Sequence, residues 1–204
     1  MTRIKICGIT RLQDLEAAMR YGADAVGLVV GFPRSPRNLS LEKAKELRGK
    51  APPFLDVVLV ADGRDQSTLI GLVEEIRPDA VQAYGLSDPS ILRELGVGWI
   101  IKPINPSNFE EEDLDGFDAV LLDGSMGRGV TPNWDLCRRI GEGFELPVIL
   151  AGGLDPDNVQ EAMRIVKPYG VDVSSGVERA PGIKDPEKIK IFIRRVKEVD
   201  LNEV

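Results

Sequence analysis

The chain has 204 residues, 43% of them hydrophobic, which is enough to bury a sizeable core in one or two domains. Its 26 basic and 33 acidic residues give a net charge of −7, and the acidic residues are spread along the sequence. A nucleic-acid-binding protein typically has a clustered basic face, so nucleic acid is not an expected partner. No apolar run approaches the roughly 18 residues of a membrane helix. We therefore expect a cytoplasmic protein without a membrane partner.

Cysteine and histidine usage narrows the possible chemistry further. The two cysteines, Cys7 and Cys137, are too few for a disulfide framework and too far apart in sequence for a metal knuckle. The chain also has no histidine to help bind zinc. We therefore expect no bound metal, and any acid–base chemistry must use carboxylate, lysine, tyrosine or cysteine side chains.

Short apolar, β-branched segments alternate with segments whose apolar residues recur at helical spacing, the pattern of repeated strand–helix units. The predicted strands are, in chain order, RIKICG (3–8), DAVGLVV (24–30), FLDVVLV (54–60), DAVQAYG (79–85), GWIIKPI (98–104), FDAVLLD (117–123), LPVILAGG (146–153) and VDVSSG (171–176). The predicted helices begin near Arg11, Leu41, Gln66, Pro89, Asn108, Trp134, Pro156 and Pro186. The fifth helix is expected to have only two or three turns, and Thr10 with Gln13 predicts a capping box before the first.

Eight such units, without a linker or a break in composition, predict an α/β fold. The predicted architecture is a (β/α)₈ TIM barrel that forms a single domain over residues 1–204. An open doubly wound sheet agrees less well with eight units, because such sheets more often have five or six strands. Three strands begin with Asp-Ala-Val or the related Phe-Asp-Ala-Val, at Asp24, Asp79 and Asp118. This recurrence is either a repeated unit or chance in a β-rich sequence.

Polar residues collect toward the carboxyl ends of the predicted strands, where such barrels carry their active sites. Cys7 ends the first strand, Gln82 lies in the fourth and Asp123 ends the sixth. Because strand side chains alternate between faces, Cys7 and Asp123 are both expected to face the interior and meet over the barrel mouth. The alternative is that Cys7 is a small buried hydrophobe and Asp123 a loop residue.

The same alternation places Lys5 and Asp172 inside the barrel, on strands that become neighbours when it closes. A lone charge in that position is costly. We therefore expect the two side chains to pair.

Glycine-rich segments follow the seventh and eighth strands, AGGLDPDN (151–158) and SSGVE (174–178). Their small residues and free backbone N–H groups predict a phosphate site, although a glycine pair can also make a simple left-handed turn. The predicted phosphate-binding residues are Gly152, Gly153, Ser174, Ser175 and Gly176. The segment GSMGRGVTPNW (124–134) adds one arginine, Arg128, that is a candidate to close over the same group.

The segment after the second strand, GFPRSPRNLS (31–40), carries Arg34 and Arg37 among prolines. Proline restricts such a segment, and a guanidinium held in place suits bidentate capture of a carboxylate or phosphate. Arg37 is the preferred candidate for this role, whereas Arg34 is interpreted as a solvent-exposed surface residue.

With these residues assembled, the chain resembles the phosphoribosylanthranilate isomerases of tryptophan biosynthesis over essentially its whole length. KICGIT (5–10) is similar to that family's opening motif, and the resemblance implies that Cys7 is a general base. LLD (121–123) resembles the segment that holds the general acid, which implies that role for Asp123. PRSPR (33–37) implies that Arg37 binds the anthranilate carboxylate. AGGL and VDVSSGVE resemble the phosphate-binding loops and imply that role for Gly153, Ser174, Ser175 and Gly176.

The resemblance also implies an Amadori rearrangement of a phosphosugar, N-(5-phosphoribosyl)anthranilate, with no metal or organic cofactor. Candidate supporting residues are Lys5, Gln82, Arg128 and Asp172. Free cysteine has a pKa of about 8.5, so Lys5 and the start of the first helix are expected to favour the thiolate.

The chain departs from the family pattern in two places. The fourth strand has Tyr84 where the family usually has histidine. The segment after the sixth strand lacks the family's lysine, which makes Arg128 the candidate replacement charge.

Three other functions remain open from the sequence. A related phosphosugar barrel enzyme, such as an indole-glycerol-phosphate synthase or a histidine-pathway aminoaldose isomerase, would share the fold, although the latter uses two aspartates where Cys7 ends the first strand here. A non-catalytic phosphate-ester binder would need the glycine loops alone. A thiol redox sensor would need Cys7 to meet Cys137, which WDLCRRI (134–140) places on an outer helix. The sequence predicts no particular oligomeric state.

Overall fold

The computed structural model describes residues 1–109, 113–124 and 133–202. Eight parallel strands, β1 to β8, form its central sheet: Arg3–Cys7, Ala25–Val30, Asp56–Asp62, Ala80–Tyr84, Trp99–Ile104, Ala119–Asp123, Val148–Ala151 and Gly170–Val173. Each strand pairs with the next in chain order, and β1 pairs with both β2 and β8. These pairings close the sheet and confirm the predicted (β/α)₈ barrel.

The helices α1 to α7 are Leu12–Tyr21, Leu41–Arg48, Gln66–Ile76, Ser90–Glu94, Trp134–Gly141, Val159–Val166 and Pro186–Asn202. They pack on the outward side chains of the strands, such as Ile4 and Ile6 of β1, in the main hydrophobic core. Among the described residues, no helix combines the length and apolar character needed to cross a membrane.

The fifth strand–helix unit differs from its prediction. Instead of two or three turns from near Asn108, the structure has a single 3₁₀ turn at Pro106–Asn108. The Asn105 side chain accepts a hydrogen bond from the Ser107 N–H and starts this turn. Phe109 then takes an extended conformation and ends it, while residues 110–112 lie outside the described ranges.

The predicted capping box before α1 is wrong. The Thr10 hydroxyl donates to the carbonyl of Gly182, in the loop that follows β8, and is thereby removed from the helix start. Arg11 becomes the N-cap residue, without a side-chain cap. A contact between distant parts of the chain has displaced the local one.

The helix after β7 begins later than predicted, at Val159 rather than near Pro156. The Asp155 carboxylate accepts hydrogen bonds from the N–H groups of Asp157 and Asn158. Asp155, followed by Pro156, has the pattern of a capping carboxylate, but here it closes a turn ahead of the helix.

The inward side chains form two hydrophobic clusters along the barrel axis. The basal cluster consists of Val58, Ala80, Ile101, Ala119, Leu121 and Ala151. The mouth cluster consists of Cys7, Val29 and Val60, with Phe32 and Tyr84 packed against it. The mouth cluster lies nearer the carboxyl ends of the strands and forms the floor of the candidate site.

Two short irregular elements border the mouth. The strand Asn38–Leu39 extends the sheet beside β2, immediately after the proline-rich segment. After β8, a 3₁₀ turn at Ser175–Val177 leads into an antiparallel hairpin of Glu178–Ala180 and Ile183–Lys184. These elements fix the segments that carry Arg37 and the second glycine-rich loop.

Candidate active site

A cavity of about 900 Å³ opens at the carboxyl ends of the strands. Cys7 and Asp123 both line it, as the alternation of strand side chains predicted. Other lining residues are Arg37, Gln82, Tyr84, Gly152, Gly153, Asp172, Ser174 and Ser175. Residues far apart in sequence thus share one cavity large enough for a phosphosugar.

Cys7 ends β1 beside Gly27 of β2, its partner in the sheet register. A Cβ atom on Gly27 would lie 2.7 Å from the Cys7 Sγ, so the missing side chain leaves the space that the thiol occupies. Gly8 follows with a φ of 74°, which turns the chain out of the strand. The pattern of a single strand does not reveal Gly27, because the need for a glycine there arises only across the β1–β2 pair.

Burial raises the pKa of the Cys7 thiol above its ordinary value. The positive charge of Lys5 lowers this pKa, the negative charge of Asp172 raises it, and Lys184 lowers it. Lys5 therefore favours the thiolate as expected, whereas the start of the first helix is not among the causes of the shift. The desolvation of the buried sulfur is the largest effect.

The predicted pair of Lys5 and Asp172 is present, with Lys5 Nζ 2.8 Å from Asp172 Oδ2. Lys5 Nζ also donates to Gln82 Oε1 at 2.8 Å. Burial alone would lower the Lys5 pKa, but the carboxylate of Asp172 and the thiol of Cys7 together raise it. The remaining oxygen, Asp172 Oδ1, is buried and has no hydrogen-bond partner within the described ranges, so it can accept a bond from a ligand.

Tyr84 also lines the cavity. Its ring packs edge-on against Phe32 with 5.9 Å between the ring centroids. Its hydroxyl accepts a hydrogen bond from Gln82 Nε2 at 3.2 Å. Burial raises the Tyr84 pKa, so the phenol stays neutral and serves as a wall and a hydrogen-bonding group.

Arg37 lines the cavity, but two of its nitrogens are already engaged. Its Nε and Nη2 donate to the two carboxylate oxygens of Glu178, both at 2.7 Å. The Arg37 side chain also crosses Gly8 so closely that a Cβ atom there would overlap it. Arg34 lines the same cavity and is exposed.

Glu178 and the fully buried Lys184 lie behind the cavity wall and are two further residues that the sequence interpretation missed. Lys184 Nζ donates to Glu178 Oε1 and to the Ser174 carbonyl, each at 3.0 Å. The only signal was their opposite charge within SSGVERAPGIK (174–184), and charge pairs at that spacing are common in exposed loops.

Four of the five residues predicted to bind phosphate line the cavity, namely Gly152, Gly153, Ser174 and Ser175. Gly152 and Gly153 have φ angles of 88° and 61°, a conformation that favours glycine. Gly176 does not appear on the cavity wall. A Cβ atom there would overlap the Leu154 carbonyl, so this glycine is needed for packing between the two loops.

Two further predictions concern residues away from this geometry. Arg128 lies outside the described residues. Cys137 is buried on α5 in the core between strands and helices, whereas Cys7 belongs to the mouth cluster inside the barrel. Both are free cysteines, and the contact that a redox pair requires is not made.

Comparison with known proteins identifies the family. The family model described as N-(5'-phosphoribosyl)anthranilate (PRA) isomerase matches residues 4–195. A relative from Natronomonas pharaonis, named N-(5'-phosphoribosyl)anthranilate isomerase, is 43% identical, with 95% of this chain and 97% of the relative covered. The chain belongs to the PRA isomerase family.

Solved structures of PRA isomerases have the same architecture. The enzyme from Thermus thermophilus superposes with a TM-score of 0.86 at 33% identity, covering 97% of this chain and all of the other (100%). A PRA isomerase in complex with reduced 1-(o-carboxyphenylamino)-1-deoxyribulose 5-phosphate gives a TM-score of 0.81 at 35% identity. The match covers 97% of this chain and 100% of that structure's chain. That ligand carries both a phosphate and an aromatic carboxylate.

Proposed function

We propose that this chain catalyses the Amadori rearrangement of N-(5-phosphoribosyl)anthranilate to 1-(2-carboxyphenylamino)-1-deoxyribulose 5-phosphate in tryptophan biosynthesis. The observation that carries the proposal is the shared cavity of Cys7 and Asp123, at the ends of β1 and β6. Only β7 and β8 separate these strands on the shorter way round the barrel. A base and an acid that face one cavity suit a reaction in which protons move at two positions of one sugar.

In the proposed ring opening, Asp123 in its acid form donates a proton to the furanose oxygen. The bond between C1 and the ring oxygen breaks, and the nitrogen lone pair forms a C=N bond to C1. The products of this step are the Asp123 carboxylate and an open-chain iminium ion. The positive nitrogen makes the proton on C2 more acidic.

In the second step, the Cys7 thiolate removes the proton from C2. The electrons of the C2–H bond form a C1=C2 double bond, and the iminium electrons return to nitrogen. The enolamine then becomes the ketose as C1 gains the proton held by the Cys7 thiol and the C2 hydroxyl proton passes to the Asp123 carboxylate. These transfers regenerate the thiolate and the acid, so the reaction neither consumes nor releases protons. Lys5 and Lys184 supply positive charge that favours the thiolate against the cost of its burial.

The substrate has an anion at each end, and the cavity offers a group for each. The phosphate is assigned to the loops of Gly152, Gly153, Ser174 and Ser175, which line the cavity on neighbouring strands. The anthranilate carboxylate is assigned to Arg37. Fixing both ends holds the sugar between acid and base, and the proposed reaction needs no metal or organic cofactor.

A supporting role in substrate positioning is proposed for Asp172 and Gln82. Asp172 Oδ1 would accept a hydrogen bond from a sugar hydroxyl, because it is the oxygen that Lys5 leaves unengaged. Gln82 orients Lys5 from the other side through its side-chain carbonyl.

The test measures fluorescence loss as purified protein consumes N-(5-phosphoribosyl)anthranilate. We expect Cys7→Ala and Asp123→Asn each to lower kcat by at least about 100-fold, the usual contribution of one general acid or base. Cys137→Ala is the matched control, since it removes a buried thiol outside the cavity and should retain turnover.

Near-parental turnover by either cavity variant would refute the role assigned to that residue. The aminoaldose of the histidine pathway, assayed in parallel, tests the closest alternative enzyme. A clear preference for that substrate would contradict the proposed function.

A further inference from the structure

Two opposite charges are buried behind the cavity wall, and the proposed chemistry leaves Glu178 unused. The side chains of Glu178 and Lys184 are 6% and 0% exposed. Both belong to the hairpin that follows β8, and neither lines the cavity. Burying a charged pair costs free energy unless its hydrogen bonds are well made, so the contacts of this pair indicate what it supports.

The contacts of Glu178 converge on Arg37. The Glu178 carboxylate accepts one hydrogen bond from Arg37 Nε and one from Arg37 Nη2, each at 2.7 Å. This bidentate arrangement fixes the plane of the guanidinium as well as its position. Gly8 supports the aliphatic part of the same side chain. Nη1 bonds to no residue in the described part of the chain and remains available on a side chain that lines the cavity.

Lys184 holds the Glu178 carboxylate in place. Its ammonium donates to Glu178 Oε1 and to the Ser174 carbonyl, which ties the carboxylate to the end of β8. An Arg37–Glu178 pair alone would be electrically neutral and would attract an anion weakly. Lys184 is a second cationic group, whose pKa burial lowers and the Glu178 carboxylate raises. With Lys184 protonated, the three groups together carry one positive charge beside the cavity.

The ionised form of Glu178 is favoured in this setting. Burial alone would raise the pKa of Glu178, but the hydrogen bond from Arg37 and the charge of Lys184 outweigh it and hold the pKa below its ordinary value. The carboxylate is therefore a permanent partner of Arg37 near neutral pH.

We propose that Glu178 and Lys184 are positioning residues that orient Arg37, and thereby select substrates whose aromatic ring carries a carboxylate. The proposal rests on the proposed function, because it assigns the specificity of the same cavity. It predicts that loss of Glu178 weakens recognition of the carboxylate and leaves recognition of the phosphosugar intact.

The test is isothermal titration calorimetry with two ligands. Reduced 1-(o-carboxyphenylamino)-1-deoxyribulose 5-phosphate carries the aromatic carboxylate, and ribulose 5-phosphate does not. We expect Glu178→Gln to raise the Kd of the first ligand by about tenfold, because the loss of a correctly oriented guanidinium outweighs the positive charge that the substitution adds, with the Kd of the second unchanged. In steady-state assays the same variant should raise KM and leave kcat unchanged.

Two further variants give the largest and the smallest change in Kd expected in this experiment. Arg37→Met should raise the Kd of the carboxylate-bearing ligand by a larger factor than Glu178→Gln does, again with the Kd of ribulose 5-phosphate unchanged. Glu187→Gln removes the same charge from the exposed face of α7, where Glu187 is 68% exposed, and should change neither Kd.

An equal loss for both ligands, or no change for either, would overturn the positioning role, provided that circular dichroism shows folded protein. Should Glu178→Gln fail to fold, Glu178→Asp keeps the charge but shortens its reach. That variant must show the same selective loss, and an equal loss for both ligands again overturns the proposal. Tight binding of the reduced ligand by a parent protein without isomerase activity would instead refute the proposed function.

Discussion

The charge state of Cys7 depends on three ionisable neighbours and on burial. Burial and the Asp172 carboxylate raise the thiol pKa, while Lys5 and Lys184 lower it. The group that must act as the base is therefore a thiol over most of the neutral range. kcat/KM follows the ionisation of the free enzyme, so its ascending limb belongs to this residue.

We expect kcat/KM to rise with pH through a midpoint above about 8.5, the ordinary pKa of a cysteine thiol. Asp172→Asn should move that midpoint to lower pH by on the order of one unit, because it removes a negative charge that opposes the thiolate. The measurement is a pH–rate profile of each purified protein, and the exposed Asp115→Asn is the control. A midpoint that stays in place or moves upward would contradict this account of the Cys7 environment.

Single residues were predictable where the two-residue period of a strand decides their direction. That period placed Cys7, Asp123 and the Lys5–Asp172 pair correctly. It could not find Glu178 or Lys184, because these residues reach the site through a turn and a hairpin after β8 whose geometry has no fixed period. The engagement of Arg37 was missed for the same reason.

At the scale of elements, the recurring Asp-Ala motif is a structural device that joins consecutive strands. Asp24 Oδ2 accepts from the Ile4 N–H at 2.8 Å, and its backbone N–H donates to the Ile4 carbonyl. Asp79 makes the same two bonds with Val57. Each aspartate at the start of an even-numbered strand thus anchors the start of the strand before it.

The third aspartate, Asp118, offers a test of this device. It accepts from the Ile100 N–H at 2.6 Å and pairs with Arg93. Asp118→Ala should lower the free energy of unfolding by about 1 to 3 kcal/mol, because it leaves a strand N–H without its partner. Urea denaturation measures the effect, with the exposed Asp115→Ala as control. Equal stability of the two variants would show that the anchor contributes nothing.

Element boundaries were less predictable than the elements themselves. The strands followed from their apolar runs and α1 began next to its predicted start, but the capping box of α1 was absent and α6 began at Val159 rather than near Pro156. In both cases the polar side chain that signals a cap was used by another backbone group, Gly182 for Thr10 and Asp157 for Asp155. A local motif predicts a cap only when no other backbone group, near or distant in sequence, competes for the same side-chain oxygen.

At the scale of the whole molecule, the barrel interior divides into a part that supports stability and a part that carries the site. The basal cluster is apolar and, apart from Ala151, does not line the cavity. The mouth cluster includes Cys7 and borders the ionised groups. Substitutions in the two clusters should therefore separate stability from catalysis.

We expect Ile101→Ala, in the basal cluster, to lower the free energy of unfolding by about 2 to 5 kcal/mol through lost contacts and a residual void. The kcat of the folded fraction should stay near the parental value, because Ile101 does not line the cavity. Leu201→Ala, at a position 75% exposed on α7, is the stability control. A large fall in kcat with little change in stability would refute the division.

The pairing of β1 with β8 makes closure of the barrel and completion of the cavity depend on the same strand. Lys5 and Cys7 lie on the first strand, while the carboxylate that pairs with the lysine lies on the eighth. The hydrogen bonds from Thr2 to Asp200 join the segment before β1 to α7. A barrel without β8 would leave one edge of β1 unpaired and the Lys5 ammonium without its carboxylate, so the catalyst is assembled only when the ring of strands is complete.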